Sequence, residues 1–279
     1  MTRKGSVALP VLMYHHVSPT PGLVTVSPQN FRSQMQWLAE HSWHTLTTSA
    51  FAAGLAAGVW PKKSVLLTFD DGYLDNRAYA YPVLKEFGQY ATIFLVTGWA
   101  GDGPARTRLD TPHASAILSH SEAMRAIREG RQDEAFLRWS EVEEMQAAGT
   151  FAFHSHTHRH IRWDQIEPDN QLRRERLAAD LAASRNELKL RLGTVSPHLC
   201  WPQGYFDAEY QDVAHTAGFT HLYTTRHGTV DATTQSINIP RIVVKDKPGT
   251  WLAGRLRIYS LPILARLYAA IKSVGSPTR

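Results

Sequence analysis

The chain has 279 residues, room for one large α/β domain or two small ones. Hydrophobic residues make up 43% and charged residues 20%, a globular composition that excludes disordered, collagen-like and fibrous-coil architectures. One cysteine, Cys200, excludes an internal disulfide and a cysteine-built zinc cluster. The formal charge of +5 comes from residues 251–279, where Arg255, Arg257, Arg266, Lys272 and Arg279 have no acidic neighbour. Without those five, 25 basic and 25 acidic side chains balance, so the body carries no basic stripe for nucleic acid.

The opening Met1–His16 stretch lacks a long apolar segment and a small-residue cleavage site, so no cleaved secretory peptide is expected. No run reaches the roughly 18 apolar residues of a transmembrane helix. These features predict a cytoplasmic protein, with the inner face of the membrane as a possible station.

In chain order, Leu9 to Tyr14 reads as a first strand, and Ser27-Pro28 as the cap and first turn of a helix carrying Phe31, Met35 and Leu38. Ser64 to Phe69 and Ala91 to Val96 are buried strands. The polar stretch 101–138, with a helix candidate at Ser121 to Arg131, reads as an insertion over the top of the fold. Ser140 with Glu143 resembles a capping box, and Gly149 a helix stop. Thr150 to Phe153 is a fourth strand, and a long helix carrying Leu177, Leu181, Leu188 and Leu192 ends at Gly193. His198 to Trp201, Phe219 to Thr224 and Ile237 to Val244 complete the strands, with a helix at Asp207 to Thr216. Strand–helix alternation with short connections means parallel βαβ units, and about seven strands suit one closed or nearly closed barrel. The domain division is a barrel over 1–250 and a basic amphipathic segment over 251–279. In that segment Ile263, Leu264, Leu267, Tyr268 and Ile271 share a face, with Pro262 as a break. It either packs back on the barrel or lies on an anionic membrane surface.

Chemistry in such folds gathers at the carboxyl ends of strands. The second strand runs into Asp70-Asp71-Gly72, two adjacent carboxylates that are costly to bury unless a cation or proton is shared. Alone, the tripeptide also describes an ordinary solvated turn. The fourth strand runs into His154, His156, His158 and His160, four of the 14 histidines within seven residues. Two histidines and a carboxylate suffice for an open catalytic zinc site.

Together, Thr68-Phe69-Asp70-Asp71-Gly72 and His156-Thr157-x-x-His160 resemble the first two motifs of the polysaccharide deacetylases (NodB homology, carbohydrate esterase family 4). The likeness spans about Pro10 to Val244, including Leu12-Met13-Tyr14-His15-His16, and is nearest the poly-N-acetylglucosamine deacetylase branch. It implies a distorted (β/α) barrel and metal-dependent removal of an acetyl group from an N-acetylated glycan. It further implies Asp70 as general base and Asp71, His156 and His160 as metal ligands. The metal would be zinc first, with cobalt, nickel, manganese or iron as alternatives. A metal acidifies its water, Asp70 takes the proton, and the nucleophile attacks the carbonyl. His154 and His158 do not match ligand positions.

The third motif, usually Arg-Pro-Pro-Tyr-Gly, reads here Cys200-Trp201-Pro202-Gln203-Gly204. The arginine that orients the base is missing, and Arg241 in Asn238-Ile239-Pro240-Arg241-Ile242 is expected to pair with Asp70 instead. A backbone N–H near Gln203 remains available for an oxyanion. The Leu-x-x-His segment that supplies a general acid is not found; His221 and His227 lack its context, and His15 and His16 either line the site or pack. Tyr73, Trp201 and Gln203 are the expected substrate contacts. Two other classes compete: a carbohydrate-binding pseudoenzyme that keeps the metal site, and a non-haem iron oxygenase, against which the βαβ pattern argues.

Overall fold

The structure is a computed structural model that describes residues 8–106, 117–193, 195–261 and 264–265. Seven parallel strands close a ring in sequence order: β1 (Val11–Tyr14), β2 (Ser64–Asp71), β3 (Ala91–Leu95), β4 (Phe151–Ser155), β5 (His198–Cys200), β6 (His221–His227) and β7 (Ile239–Val243). β7 returns to β1 through Ile242↔Leu12, which closes the circle. The ring is uneven: β4 and β5 share the single register pair Ser155↔Leu199, and the β6–β7 register shifts between Tyr223 and His227. A distorted (β/α) barrel is what the family resemblance implies, and the distortion sits at these two junctions.

Helices α1 (Pro28–Glu40), α2 (Thr48–Ala57), α3 (Tyr81–Glu86), α4 (His120–Arg128), α5 (Trp139–Ala147), α6 (Asn170–Leu192), α7 (Ala208–Thr216) and α8 (Gly249–Tyr259) are the longer helices among the described residues. Their ends follow local chemistry. Ser27 caps α1 by accepting from Asn30 N, and the fixed φ of Pro28 presets the first turn. Asp169 caps α6 through Leu172 N, and Gly193 ends it in the left-handed conformation.

Two apolar layers result. Inside the ring, Val11, Leu66, Phe94, Tyr223 and Ile239 pack with Phe51 and Trp60 from the α2 region. That region enters through His44–Thr45, which pairs with the first residues of β2, so α2 closes the end opposite the carboxyl termini of the strands. Outside it, α1, α5 and α8 cover β1 to β4 through Phe31, Met35, Val142, Leu252 and Leu256.

Two local expectations are corrected, and a third region takes one of its two expected courses. Pro10, which has no N–H to give a ladder, splits the first strand. Ala8–Leu9 pairs antiparallel with Val230–Asp231, and only Val11–Tyr14 joins the ring. Helix α5 starts at Trp139, whose ring is buried, so the residue before it, Arg138, is the cap. Glu141 accepts the Arg138 N–H at 2.9 Å, and Ser140 donates instead to Gly103 O. In the basic segment, Leu252, Leu256 and Tyr259 of α8 are buried on the core, so the apolar face of 251–259 packs back on the body. Pro262, Ile263, Arg266, Leu267, Tyr268, Ile271, Lys272 and Arg279 lie outside the described residues. Among the described residues no helix is long and apolar enough to cross a membrane.

The described part of 101–138 rests on the loop after β2. Tyr73 and Phe136 form an antiparallel bridge, Leu137 N donates to Gly72 O at 3.0 Å, and Leu74 N to Ala135 O at 2.9 Å. The expected helix here is α4, beginning at His120.

Candidate active site

Both carboxylates of Asp70-Asp71 end a fully buried strand. Asp70 continues the inward alternation of Leu66 and Thr68, whereas Asp71 adopts φ 73° and Gly72 φ 85°. The sign change lets consecutive side chains enter the same cleft, a conformation that costs a non-glycine residue free energy. At Gly72 a side chain would also meet Leu95 Cδ1 at 2.3 Å. Thr157, His160 and Gln203, all at neighbouring strand ends, likewise have positive φ.

Asp71, His156 and His160 converge as expected. His156 Nε2 and His160 Nε2 stand 3.4 and 3.5 Å from Asp71 Oδ1. That oxygen is buried and accepts no hydrogen bond. A buried carboxylate oxygen is not left orphaned without cost, and two imidazole nitrogens facing it complete a three-ligand set. The residues present therefore fit a divalent metal ion. The second ligand-type grouping, Asp70, His156 and Cys200, is already filled by a cation: Arg241 Nη2 lies 2.7 Å from Asp70 Oδ2 and 3.0 Å from Cys200 Sγ.

Protonation states agree with metal binding. Burial pushes the Asp71 carboxyl up, but His160, His156 and His15 outweigh it and hold it below its ordinary value. Burial lowers the His160 imidazole to about 4, against a partial pull from Asp71. An ionised carboxylate and a neutral imidazole are the ligand-competent forms at neutral pH. His156 Nδ1 is 2.8 Å from Cys200 O, so it carries the proton and leaves Nε2 free toward Asp71.

Asp70 is held by Arg241 through two hydrogen bonds of 2.7 Å, Nη1 to Oδ1 and Nη2 to Oδ2. Burial alone would raise this carboxyl, but the Arg241 charge and both bonds reverse the shift and keep it well below the usual range. Arg241 Nε donates to Thr224 O and Nη1 also reaches Thr68 Oγ1, so its fork is fixed on both sides. The expected pairing is present, with Cys200 leaving room for a guanidinium that arrives from β7.

The histidine loop is held from below by α6. Asp180 Oδ1 accepts from the N–H of both His158 and Arg159 at 2.9 Å, and Oδ2 accepts from Trp163 Nε1 at 3.0 Å. Ser184, one turn on, bonds Ser155 through their hydroxyls at 2.7 Å. Neither residue was among the expected site residues. Their signal in the sequence is two polar side chains on the buried Leu177–Leu181–Leu188 face of an amphipathic helix. His154 points into the ring between Thr48 Oγ1 and Ser196 Oγ, and His158 bonds Thr97 Oγ1; neither is a ligand.

Two expected substrate contacts are corrected. Cys200 points into the ring, so Trp201, next along the chain, points out of it and is 1% exposed among Leu177, Tyr210 and Val213. Tyr73 is also 1% exposed, with His16 stacked at 3.6 Å and Phe136 at 4.9 Å, which leaves no ring face for a sugar. Burial and the Asp71 carboxylate push the Tyr73 hydroxyl well up, so it stays a neutral donor beside Asp71. Gln203 is exposed at the rim. Two residues join the site that were not assigned to it. His15 Nε2 lies 3.7 Å from Asp70 Oδ2. Trp99, partly buried after β3, places its ring 5.1 Å from that of His160.

Known proteins resemble this chain. The polysaccharide deacetylase family model matches residues 57–222. The Bacillus subtilis polysaccharide-deacetylase-family protein YxkH is 45% identical over 89 residues, which cover 32% of this chain and 32% of YxkH. A poly-β-1,6-N-acetyl-D-glucosamine N-deacetylase of Staphylococcus aureus is 25% identical over 226 residues, 80% of this chain and 68% of that enzyme. The chain thus spans about a third of the first relative's length and two thirds of the second's. Among solved structures, the Streptococcus pyogenes deacetylase PplD, in complex with acetate, superposes with a TM-score of 0.69 at 21% identity over 89% of this chain and 98% of its own. IcaB from Ammonifex degensii gives 0.66 at 23% identity, covering 90% and 97%. These two share the fold. Because the family model covers more than half of the chain and spans both Asp70-Asp71 and His156–His160, the chain belongs to the polysaccharide deacetylase family.

Proposed function

We propose that this chain is a divalent-metal-dependent hydrolase that removes the acetyl group from N-acetylglucosamine units of a glycan. The observation that carries the reading is the orphaned Asp71 Oδ1 facing two imidazole nitrogens, one residue from a carboxylate locked by an arginine. Asp71, His156 and His160 would hold the ion, with zinc proposed first because two imidazoles and one carboxylate with open positions suit it. The bound ion lowers the pKa of water and polarises the acetyl carbonyl.

The remaining steps fall to side chains of this chain. Asp70 accepts the proton of the attacking water; Arg241 keeps it ionised and aimed, at the cost of basicity. His15, beside Asp70 and partly open to the cleft, is placed to hand a proton to the leaving amine. The Gln203 N–H faces no acceptor in the backbone hydrogen-bond network and is the proposed donor to the developing oxyanion. The missing third-motif arginine is the main ground for a binding-only pseudoenzyme, and Arg241 supplies its equivalent.

A cytoplasmic place, and contact of the basic segment with an anionic membrane, belong to the same proposal; the support is the five cations without an acidic residue in 251–279. The activity is tested by acetate release from β-1,6-linked N-acetylglucosamine oligomers, with metal added or chelated. Release should require metal, and Asp70→Asn should keep the metal while losing at least about a hundredfold in kcat. Metal-loaded wild type that releases no acetate would overturn the reading.

A further inference from the structure

One polar network beside the site has no part in the chemistry above. His16 and Asp75 are both buried, with His16 Nδ1 2.6 Å from Asp75 Oδ2. Asp75 Oδ1 accepts from Val17 N and Asn76 Nδ2, so the carboxylate acts as an acceptor throughout. His16 Nε2 then meets His120 Nδ1 at 3.3 Å, and the same His120 nitrogen lies 3.2 Å from the Tyr73 hydroxyl. Both contacts use the Nδ1 side of His120, which leaves Nε2 for another partner. No described residue bonds Nε2, and the ring is only partly buried.

The position is tied to the metal ligands. Tyr73 follows Asp71-Gly72 directly, and the backbone bonds from Leu137 and Leu74 clamp the 117–138 segment onto that loop. A file of aromatic rings runs from His160 to Trp99 at 5.1 Å, to Phe136 at 4.8 Å, to Tyr73 at 4.9 Å and to His120 at 6.2 Å. His120 therefore stands at the rim on the insertion's side of Asp71, held by two partners through one nitrogen while no described residue bonds the other.

We propose that His120 is a glycan-recognition residue whose Nε2 hydrogen-bonds a sugar hydroxyl next to the reacting acetamido group. This rests on the deacetylase reading for the kind of ligand. A hydroxyl both donates and accepts, so it matches either tautomer of the imidazole. Because the contact is to a part of the substrate that does not react, it contributes equally to ground state and transition state and is read in KM.

The test is calorimetric titration of a β-1,6-linked N-acetylglucosamine pentamer into metal-loaded Asp70→Asn protein, with and without His120→Ala, beside steady-state kinetics of the single variant. The expected result is binding weakened about tenfold by His120→Ala, with KM raised to match, kcat within about twofold and metal content unchanged. His120→Gln, whose amide both donates and accepts, should recover most of the affinity. If His120→Ala does not fold, His120→Phe fills the same place without a nitrogen and carries the comparison. Equal dissociation constants, no pentamer binding by the reference protein, or a fall in kcat with loss of metal would overturn the proposal. His120-dependent binding without acetate release by wild type would instead remove the hydrolase reading and leave this one standing.

Discussion

Arg241 and Asp70 stand 171 positions apart in the chain and meet through two parallel hydrogen bonds of 2.7 Å, with the guanidinium fully buried. β7 is the strand that closes the ring onto β1, and β2 lies on β1's other side, so ring closure is what brings the two together. The Asp70 carboxylate and the last seam of the fold thus depend on each other.

Breaking this pair should cost both stability and turnover. Arg241→Ala leaves Asp70 buried and uncompensated, a loss of about 3–5 kcal/mol in chemical denaturation. Arg241→Lys restores charge without the fork and should recover only part of it. In a double-mutant cycle, Asp70→Asn with Arg241→Ala should lose much less than the sum of the singles. Additive losses would mean that the pair carries no coupling.

Much of this was legible in the sequence, for reasons that differ by residue. The seven strands announce themselves as apolar runs, and Asp71, His156 and His160 sit on short motifs at strand ends. Arg241 could be inferred because the third motif lacks the charge that Asp70 needs. Tyr73 and Trp201 were misread because an aromatic residue after a strand looks the same whichever way it faces. The direction of Trp201 follows from Cys200 pointing inward, a fact of register that composition does not carry. His120 was hidden further, because its neighbours His16 and Tyr73 lie 104 and 47 positions away.

Asp180 should govern metal affinity without touching the metal. It holds the His158 and Arg159 amides between His156 and His160, the proposed ligands, and the chain there adopts φ 66° at Thr157 and 56° at His160. Asp180→Ala leaves three donors, one of them buried, without their acceptor and lets that strained turn relax. The expected outcome is metal bound about 10–100-fold more weakly in a chelator competition, together with a stability loss of about 2–4 kcal/mol. Unchanged metal affinity would reduce Asp180 to a packing residue.

Acid sensitivity should trace in part to His198. Its Nδ1 bonds the Tyr223 hydroxyl inside the ring, with the rings of His154 and His221 each 4.7 Å away. Burial, reinforced by His154 and His221, lowers its pKa to about 2. The native state therefore keeps His198 neutral down to low pH, whereas the unfolded chain binds a proton below its ordinary value of 6.5. More protons on the unfolded state means stability that falls as pH drops from 6.5 toward 2, with no contribution above 6.5. Between pH 7 and pH 5 this one group should remove about 2 kcal/mol. His198→Gln lowers the stability at pH 7 by cutting packing, but it should shrink the pH 7-to-5 difference by about that amount in paired urea titrations. An equal pH dependence in the variant would show that His198 is already protonated in the native ring.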